Sequence, residues 1–278
     1  MPHTSHKKRS PLQKRTETVD EDGWTRIVSH HDPQKYGKRA SDQTRIDPHR
    51  IADGMTAEKL SERYNLIEKK WHTSESCKRL TKALHEAVQA SSIAVKSCIC
   101  FGTGSMSGLR HDWIQRHDVA LYQIAAFKTA VDTIETAQSR RPIAYAQEPA
   151  YNVLDEKFLA SLQIVKVDSP SGWDLIDSSS SFCYCPGAEQ YVSIMVIKKD
   201  PGFYMAGPLP WLRERQVENA FVLPIHCGEE WSPNMKEERL NMIDKFMDEH
   251  DVCTLPDLDA ADYPFYNEVL YWRRPDDA

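Results

Sequence analysis

The chain has 278 residues, 40% hydrophobic and 27% charged, enough to bury one sizeable core in a single globular domain with a tail. A formal net charge of −6 argues against a generic nucleic-acid coat, and seven scattered cysteines, an odd number, argue against a disulfide framework. No apolar leader opens the sequence, and the longest apolar runs, such as 93–95 and 221–223, are far too short to span a bilayer. The expectation is a cytoplasmic or nuclear protein with reduced thiols and no membrane partner.

Residues 1–50 are rich in His, Lys, Arg, Ser, Asp and Pro without a sustained apolar period, which predicts a mostly disordered arm. Its first fifteen residues carry Lys7, Lys8, Arg9, Lys14 and Arg15 and no acid. Such a run holds RNA phosphates by counterion release, serves as a localisation signal, or is a solvated tail. Within the arm, residues 23–28 read as a short extended piece, with Trp24 pinning it to the body.

Residues 51–278 read as one domain without internal repeats. Leu60, Tyr64, Ile67 and Trp71, then Cys77, Leu80, Leu84 and Val88, recur at three to four residues and predict two amphipathic helices separated near Thr73 and Ser74. A β-rich run at 93–101 ends in Gly-Thr-Gly-Ser, and Val119, Tyr122, Ala126, Phe127, Ala130 and Ile134 mark the next helix. Strands follow at 142–146, 164–167, 181–185, 203–206 and 220–223, with helices at 155–162, 188–197 and 236–250. Parallel strands need a crossover on a face of the sheet, so this alternation predicts an α/β, Rossmann-like three-layer α/β/α fold with a mainly parallel sheet, preceded by two helices and the basic arm.

Several segments carry a resemblance: Gly23-Trp24-Thr25, Cys-Phe-Gly-Thr-Gly-Ser at 100–105, Tyr-Ala-Gln-Glu-Pro-Ala-Tyr-Asn-Val-Leu-Asp at 145–155, Ser-Phe-Cys-Tyr-Cys-Pro at 181–186 and Val-Leu-Tyr-Trp-Arg at 269–273. In order and spacing the chain resembles the fungal branch of the sensitivity-to-red-light-reduced (SRR-like) family over roughly residues 20–274. Family members in plants are linked to light signalling and the clock, and those in animals to control of haem biosynthesis. Some similar fungal proteins are cyclodipeptide synthases of secondary metabolism, which join arginine to a second amino acid, both delivered on aminoacyl-tRNA. The resemblance thus implies a transferase with arginyl-tRNA and a second aminoacyl-tRNA as partners. The alternative it leaves open is a non-catalytic regulator with a protein or small-molecule partner.

In an open parallel sheet the ligand crevice lies at the carboxyl ends of the strands, where strand order reverses. The stretch Gly-Thr-Gly-Ser-Met-Ser-Gly at 102–108 belongs there, and its glycines allow close backbone approach while N–H groups at a following helix start hold an anion. It lacks the full dinucleotide fingerprint, and no acidic residue ends the expected second strand at the usual ribose position, so no NAD or other cofactor is expected. Ser105 or Ser107 suits an acyl acceptor or oxyanion donor, unless the segment is only a structural turn. Gln147, Glu148 and Tyr151 put an amide, a carboxylate and a phenol after the second strand; Glu148 either meets a substrate cation or acts as base, or bonds backbone around Pro149.

The candidate catalytic set is therefore Ser105, Glu148 and Tyr151, with Gly102, Thr103, Gly104, Ser107, Gln147, Asp155, Tyr184 and Pro186 as substrate contacts and the five basic arm residues on tRNA. Asp155 also sits where a helix N-cap belongs. Cys98, Cys100, Cys183 and Cys185 read as buried small hydrophobes, and no metal is expected because no metal-ligand spacing accompanies them. His226-Cys227 is a weak haem motif, and His30, His31, His111 and His117 read as surface residues.

Overall fold

The computed structural model describes residues 16–19, 25–28, 47–91, 93–109, 117–217, 233–258, 264–265 and 267–274. The chain divides into two units, Met1–Thr44 and Arg45–Ala278. In the first, β1 (Thr16–Val19) and β2 (Thr25–Val28) form an antiparallel ribbon with Thr16 opposite Val28 and Val19 opposite Thr25. The expected extended piece is β2; the four-residue β1 was missed, being too short to show a period. Trp24 and the five basic arm residues lie outside the described residues.

The second unit opens with α1 (Ala57–Thr73) and α2 (Glu75–Ala90). Thr56 starts α1 by accepting from the Lys59 N–H (3.3 Å). Ser74 does two jobs: in an extended conformation it ends α1, and its Oγ accepts from the Cys77 N–H (3.1 Å) to cap α2. Leu60, Tyr64, Ile67 and Trp71 form the buried stripe of α1, and Cys77, Leu80, Leu84 and Val88 that of α2. Both pack on α3 (His117–Gln138), where the Trp71 indole donates to Thr129 Oγ1 (2.8 Å) and so is satisfied in the core.

Strands β3 (Ser97–Phe101), β4 (Ile143–Gln147), β5 (Ile164–Val167), β6 (Ser181–Cys185) and β7 (Phe203–Ala206) are parallel. Helix α4 (Val153–Ser161) links β4 to β5, and α5 (Gln190–Lys199) links β6 to β7. After β7 come α6 (Leu209–Val217), α7 (Pro233–Glu249), β8 (His250–Thr254) and β9 (Val269–Arg273). The full order is β5-β4-β3-β6-β7-β9-β8, with β9 antiparallel to both its neighbours. Strand pleating assigns alternate residues to two cores: Cys98, Cys100, Phe182, Tyr184, Phe203 and Met205 face the α1–α4 side, while Ile99, Phe101, Cys183, Cys185 and Tyr204 face the α5–α7 side.

The fold is therefore the expected three-layer α/β sandwich, with three differences, the first being β8, which was not foreseen. The closing Val-Leu-Tyr-Trp-Arg segment is a strand inserted antiparallel between β7 and β8, and α6 was not foreseen. The strand expected at 220–223 lies outside the described residues. Among the described residues no helix is long and apolar enough to cross a membrane.

Candidate functional site

From β3 the chain runs outward through β4 and β5, then returns to the other side of β3 with β6. A cleft of about 300 Å³ opens at the carboxyl edge among the loops leaving β3, β4 and β6. Its walls are Gly102, Thr103 and Gly104 after β3, Gln147, Glu148, Pro149 and Ala150 after β4, and Gly187, Ala188 and Glu189 after β6. Val119 and Gln123 of α3, Tyr191 and Val192 of α5, and His49, Ser169 and Trp173 complete it.

Gly102 and Gly104 both take positive φ, +79° and +75°, a conformation that favours glycine. At Gly102 there is a second reason: an added Cβ would stand 2.8 Å from the Ala188 Cα, so the absence of a side chain lets the β3 and β6 loops touch. Beyond Gly104 the loop is tied down from beneath. Asp155, with 0% exposure, accepts from Ser105 Oγ (2.5 Å), Ser107 Oγ (2.8 Å), the Met106 N–H (3.1 Å) and the Asn152 N–H (3.1 Å). Ser105 Oγ in turn accepts from the Gly108 N–H (2.8 Å). Residues 49–52 brace the outside: Ala52 N–H donates to Ser107 O (2.8 Å) and Leu109 N–H to Arg50 O (2.7 Å).

These bonds change two expectations. The cap of α4 is Asn152, whose Oδ1 accepts from Leu154 and Asp155 N–H, and Asp155 is the third helical residue of a capping box rather than the cap itself. Three of the loop's donors are also not free for an anion: the N–H groups of Gly104, Met106 and Gly108 are given to Glu148, Asp155 and Ser105, and the described part of α3 begins only at His117. An anion arriving there would find these donors taken.

Glu148 supplies a third correction. Because β4 runs on to Gln147, an acid does stand immediately past the end of the second core strand. Its Oε2 accepts from the Gly104 N–H (3.0 Å) and its Oε1 from the Ala150 N–H (2.9 Å), so the carboxylate bonds local backbone and lines the cleft at once. Gln147 also reaches the cleft, with Oε1 held by the Gly172 N–H (2.8 Å). Tyr151 is buried and shares a 2.6 Å hydrogen bond with Thr103 Oγ1, and burial pushes its phenol well up. Tyr184 is buried on the α1–α4 side of the sheet. The cleft lining thus gathers Gly102, Thr103, Gly104, Gln147 and Glu148 of the expected set; Ser105, Ser107, Tyr151, Asp155, Tyr184 and Pro186 lie outside it.

Glu189, Gln123 and His49 were not anticipated. Glu189 falls just after the Tyr184–Pro186 segment, so strand-end position was a usable signal. Gln123 lies within the apolar period of α3, and His49 within the stretch assigned to the arm, where neither period nor motif marks them. Gln123 is 3% exposed; its Nε2 donates to Pro264 O (3.1 Å), while its Oε1 has no partner among the described residues. Among the described residues the lining has two carboxylates and no lysine or arginine.

The described cysteines are buried, and burial pushes up the thiols of Cys98, Cys100, Cys183 and Cys185, as small core residues require. His117, expected at the surface, is 4% exposed and has Nε2 2.7 Å from Gly108 O. His30, His31, His111, His226 and Cys227 lie outside the described residues. Among the described residues no group of three or more His, Cys, Asp or Glu side chains is placed to hold a metal ion.

The model of the SRR1 domain matches residues 77–272 of this chain. No curated protein matches it. Among solved structures, cofactor-bound Rv0187 from MTB is 7% identical, with 80% of this chain and 92% of that chain covered at a TM-score of 0.39. The O-methyltransferase from Bacillus cereus, solved in complex with SAH, is 9% identical, with 80% and 94% covered at 0.38. The small RNA methyltransferase HEN1 is also 9% identical, with 82% and 27% covered at 0.29. No statement about chemistry follows from these likenesses.

Proposed function

The chain belongs to the SRR1 domain family, and from that premise we propose that it is an aminoacyl-tRNA-dependent acyl transferase of the family's fungal branch, making an arginine-containing cyclic dipeptide in secondary metabolism. The observation that carries this reading is the acidic cleft: Glu148 and Glu189 line it, and among the described residues no lysine or arginine does. Such walls suit a guanidinium and an ammonium group, both of which are all-donor cations.

The reaction is aminolysis. The amino nitrogen of one aminoacyl ester attacks the carbonyl carbon of the other, a C–N bond forms, and the C–O bond to the tRNA ribose breaks. The proton lost by the amine passes through a base to the ribose oxygen, and a second attack closes the ring. Glu148, held by two backbone N–H groups at the cleft, is the assigned base. The ester is already activated, so no nucleotide cofactor enters. Ser105 and Ser107 lie outside the cleft lining and bond Asp155, which favours direct transfer between the two esters over an acyl-enzyme on either serine. Lys7, Lys8, Arg9, Lys14 and Arg15 are assigned to tRNA phosphates.

The test is mass spectrometry of cells expressing the full chain, wild type beside Glu148→Gln and Ser105→Ala. A new arginine-containing cyclic dipeptide that Glu148→Gln abolishes supports the reading. No product from folded wild-type protein overturns it in favour of a ligand-binding regulator.

A further inference from the structure

We infer that the cleft seats a ribonucleoside unit by its ribose hydroxyls on Glu148 and offers no seat to a phosphate. The argument starts from position. In a doubly wound sheet the acid just past the second strand meets the ribose, because the sugar crosses the carboxyl edge at the switch point. Glu148 holds that place, beside a glycine loop whose bare backbone at Gly102 and Gly104 allows close approach.

The carboxylate is also oriented before a ligand arrives. One backbone N–H fixes each oxygen, Gly104 on Oε2 and Ala150 on Oε1, and each oxygen keeps acceptor capacity for a further donor. Two vicinal hydroxyls match two carboxylate oxygens. Gln123 of the cleft wall is 3% exposed, and its Oε1 lacks a partner among the described residues. Trp173, stacked face to face on Phe101 at 4.7 Å, gives the cleft a flat apolar wall for a base.

What separates this cleft from a dinucleotide site is the treatment of phosphate. There the glycine-loop and helix N–H groups take the pyrophosphate. Here the N–H groups of Gly104, Met106 and Gly108 are spent on Glu148, Asp155 and Ser105, and the walls add Glu189 and, among the described residues, no lysine or arginine. A phosphate would meet two carboxylates and spent donors. The ligand is therefore a nucleoside whose substituents are neutral or cationic, either a free metabolite or the 3′-terminal nucleoside of a deacylated tRNA, which keeps both hydroxyls free and its phosphate outside the cleft.

This inference rests on the cleft alone and not on acyl transfer, so either can fail without the other. Isothermal titration of the full chain with adenosine, 2′,3′-dideoxyadenosine, 5′-amino-5′-deoxyadenosine, AMP and ATP tests it. Adenosine or 5′-amino-5′-deoxyadenosine should bind at least tenfold more tightly than the dideoxy compound and than ATP. In Glu148→Gln, checked for an unchanged thermal melt, adenosine should fall to the level of the dideoxy compound. Equal binding of adenosine and the dideoxy compound by the wild type, tighter binding of AMP or ATP than of adenosine, or no binding of any of the five would each overturn the proposal, whatever the variant does. Competition of bound adenosine by tRNA with its 3′-terminal adenosine, but not by tRNA lacking it, assigns the source to tRNA; no competition by either assigns it to a free nucleoside.

Discussion

Replacing Asp155 by alanine should cost the domain about 2–6 kcal/mol, from two buried N–H groups left without an acceptor at about 1–3 kcal/mol each. The figure follows from the donors left behind. Two backbone N–H groups, Met106 and Asn152, and two hydroxyls, Ser105 and Ser107, now end on this carboxylate at 2.5–3.1 Å in a site with 0% exposure. The hydroxyls can turn to other acceptors, but the two N–H groups are committed by the backbone, and a buried unsatisfied group costs about 1–3 kcal/mol. Asp155→Asn keeps one acceptor oxygen and should fall between alanine and wild type. Ser105→Ala removes one donor to Asp155 and the acceptor of the Gly108 N–H, and should cost about 1–2 kcal/mol. The assay is urea unfolding followed by fluorescence, with the slope m held as a check on two-state behaviour. Combining Asp155→Asn with Ser105→Ala should give a coupling energy of about 0.5–3 kcal/mol, as for residues in one network. A loss below about 1 kcal/mol in Asp155→Ala, or strict additivity in the double variant, would refute the view that this carboxylate holds the loop.

Gly102 and Gly104 should respond differently to alanine. At Gly104 nothing lies within 4 Å of an added Cβ, so only the left-handed backbone opposes it, about 1–2 kcal/mol. At Gly102 the added Cβ also meets the Ala188 backbone at 2.8 Å, so Gly102→Ala should lower the melting temperature further and weaken ligand binding in the cleft; equal melts for the two variants would sink this. Glu268 is 2% exposed, with Oε2 unpartnered among the described residues, and burial holds its carboxyl well above the ordinary value of 4.5. The folded state keeps this proton where the unfolded chain has released it, so the group's contribution is fully present below pH 4.5 and is lost as pH rises through the folded value. Glu268→Gln should therefore stabilise the protein relative to wild type by an amount that grows from pH 5 to pH 8, read from melting temperatures at each pH; a difference independent of pH would exclude the burial account.

Much of the framework was legible in the sequence alone. The three-to-four-residue spacing of Leu60, Tyr64, Ile67 and Trp71, and of Cys77, Leu80, Leu84 and Val88, determined α1 and α2, because a helix must bury one stripe. The short apolar runs punctuated by Gly, Pro and polar turns determined β3 to β7, and their alternation with helices determined a parallel, three-layer sheet and a glycine loop at its carboxyl edge. Local pattern carries this information because it depends on neighbours in the chain.

Only the tertiary structure decided which side chains reach the cleft. β4 runs to Gln147, one residue beyond the expected end at 146, so Glu148 stands immediately past the strand in the cleft lining. Asp155 read as a cap or a ligand contact, yet it lies beneath the glycine loop with four donors on it, because residues fifty positions apart meet only when α4 packs under that loop. Gln123 and Glu189 joined the site, and β9 inserted antiparallel between β7 and β8, through pairings made across the sheet. No local period encodes these, since hydrogen-bond partners and strand neighbours are chosen by the closed packing of the whole domain.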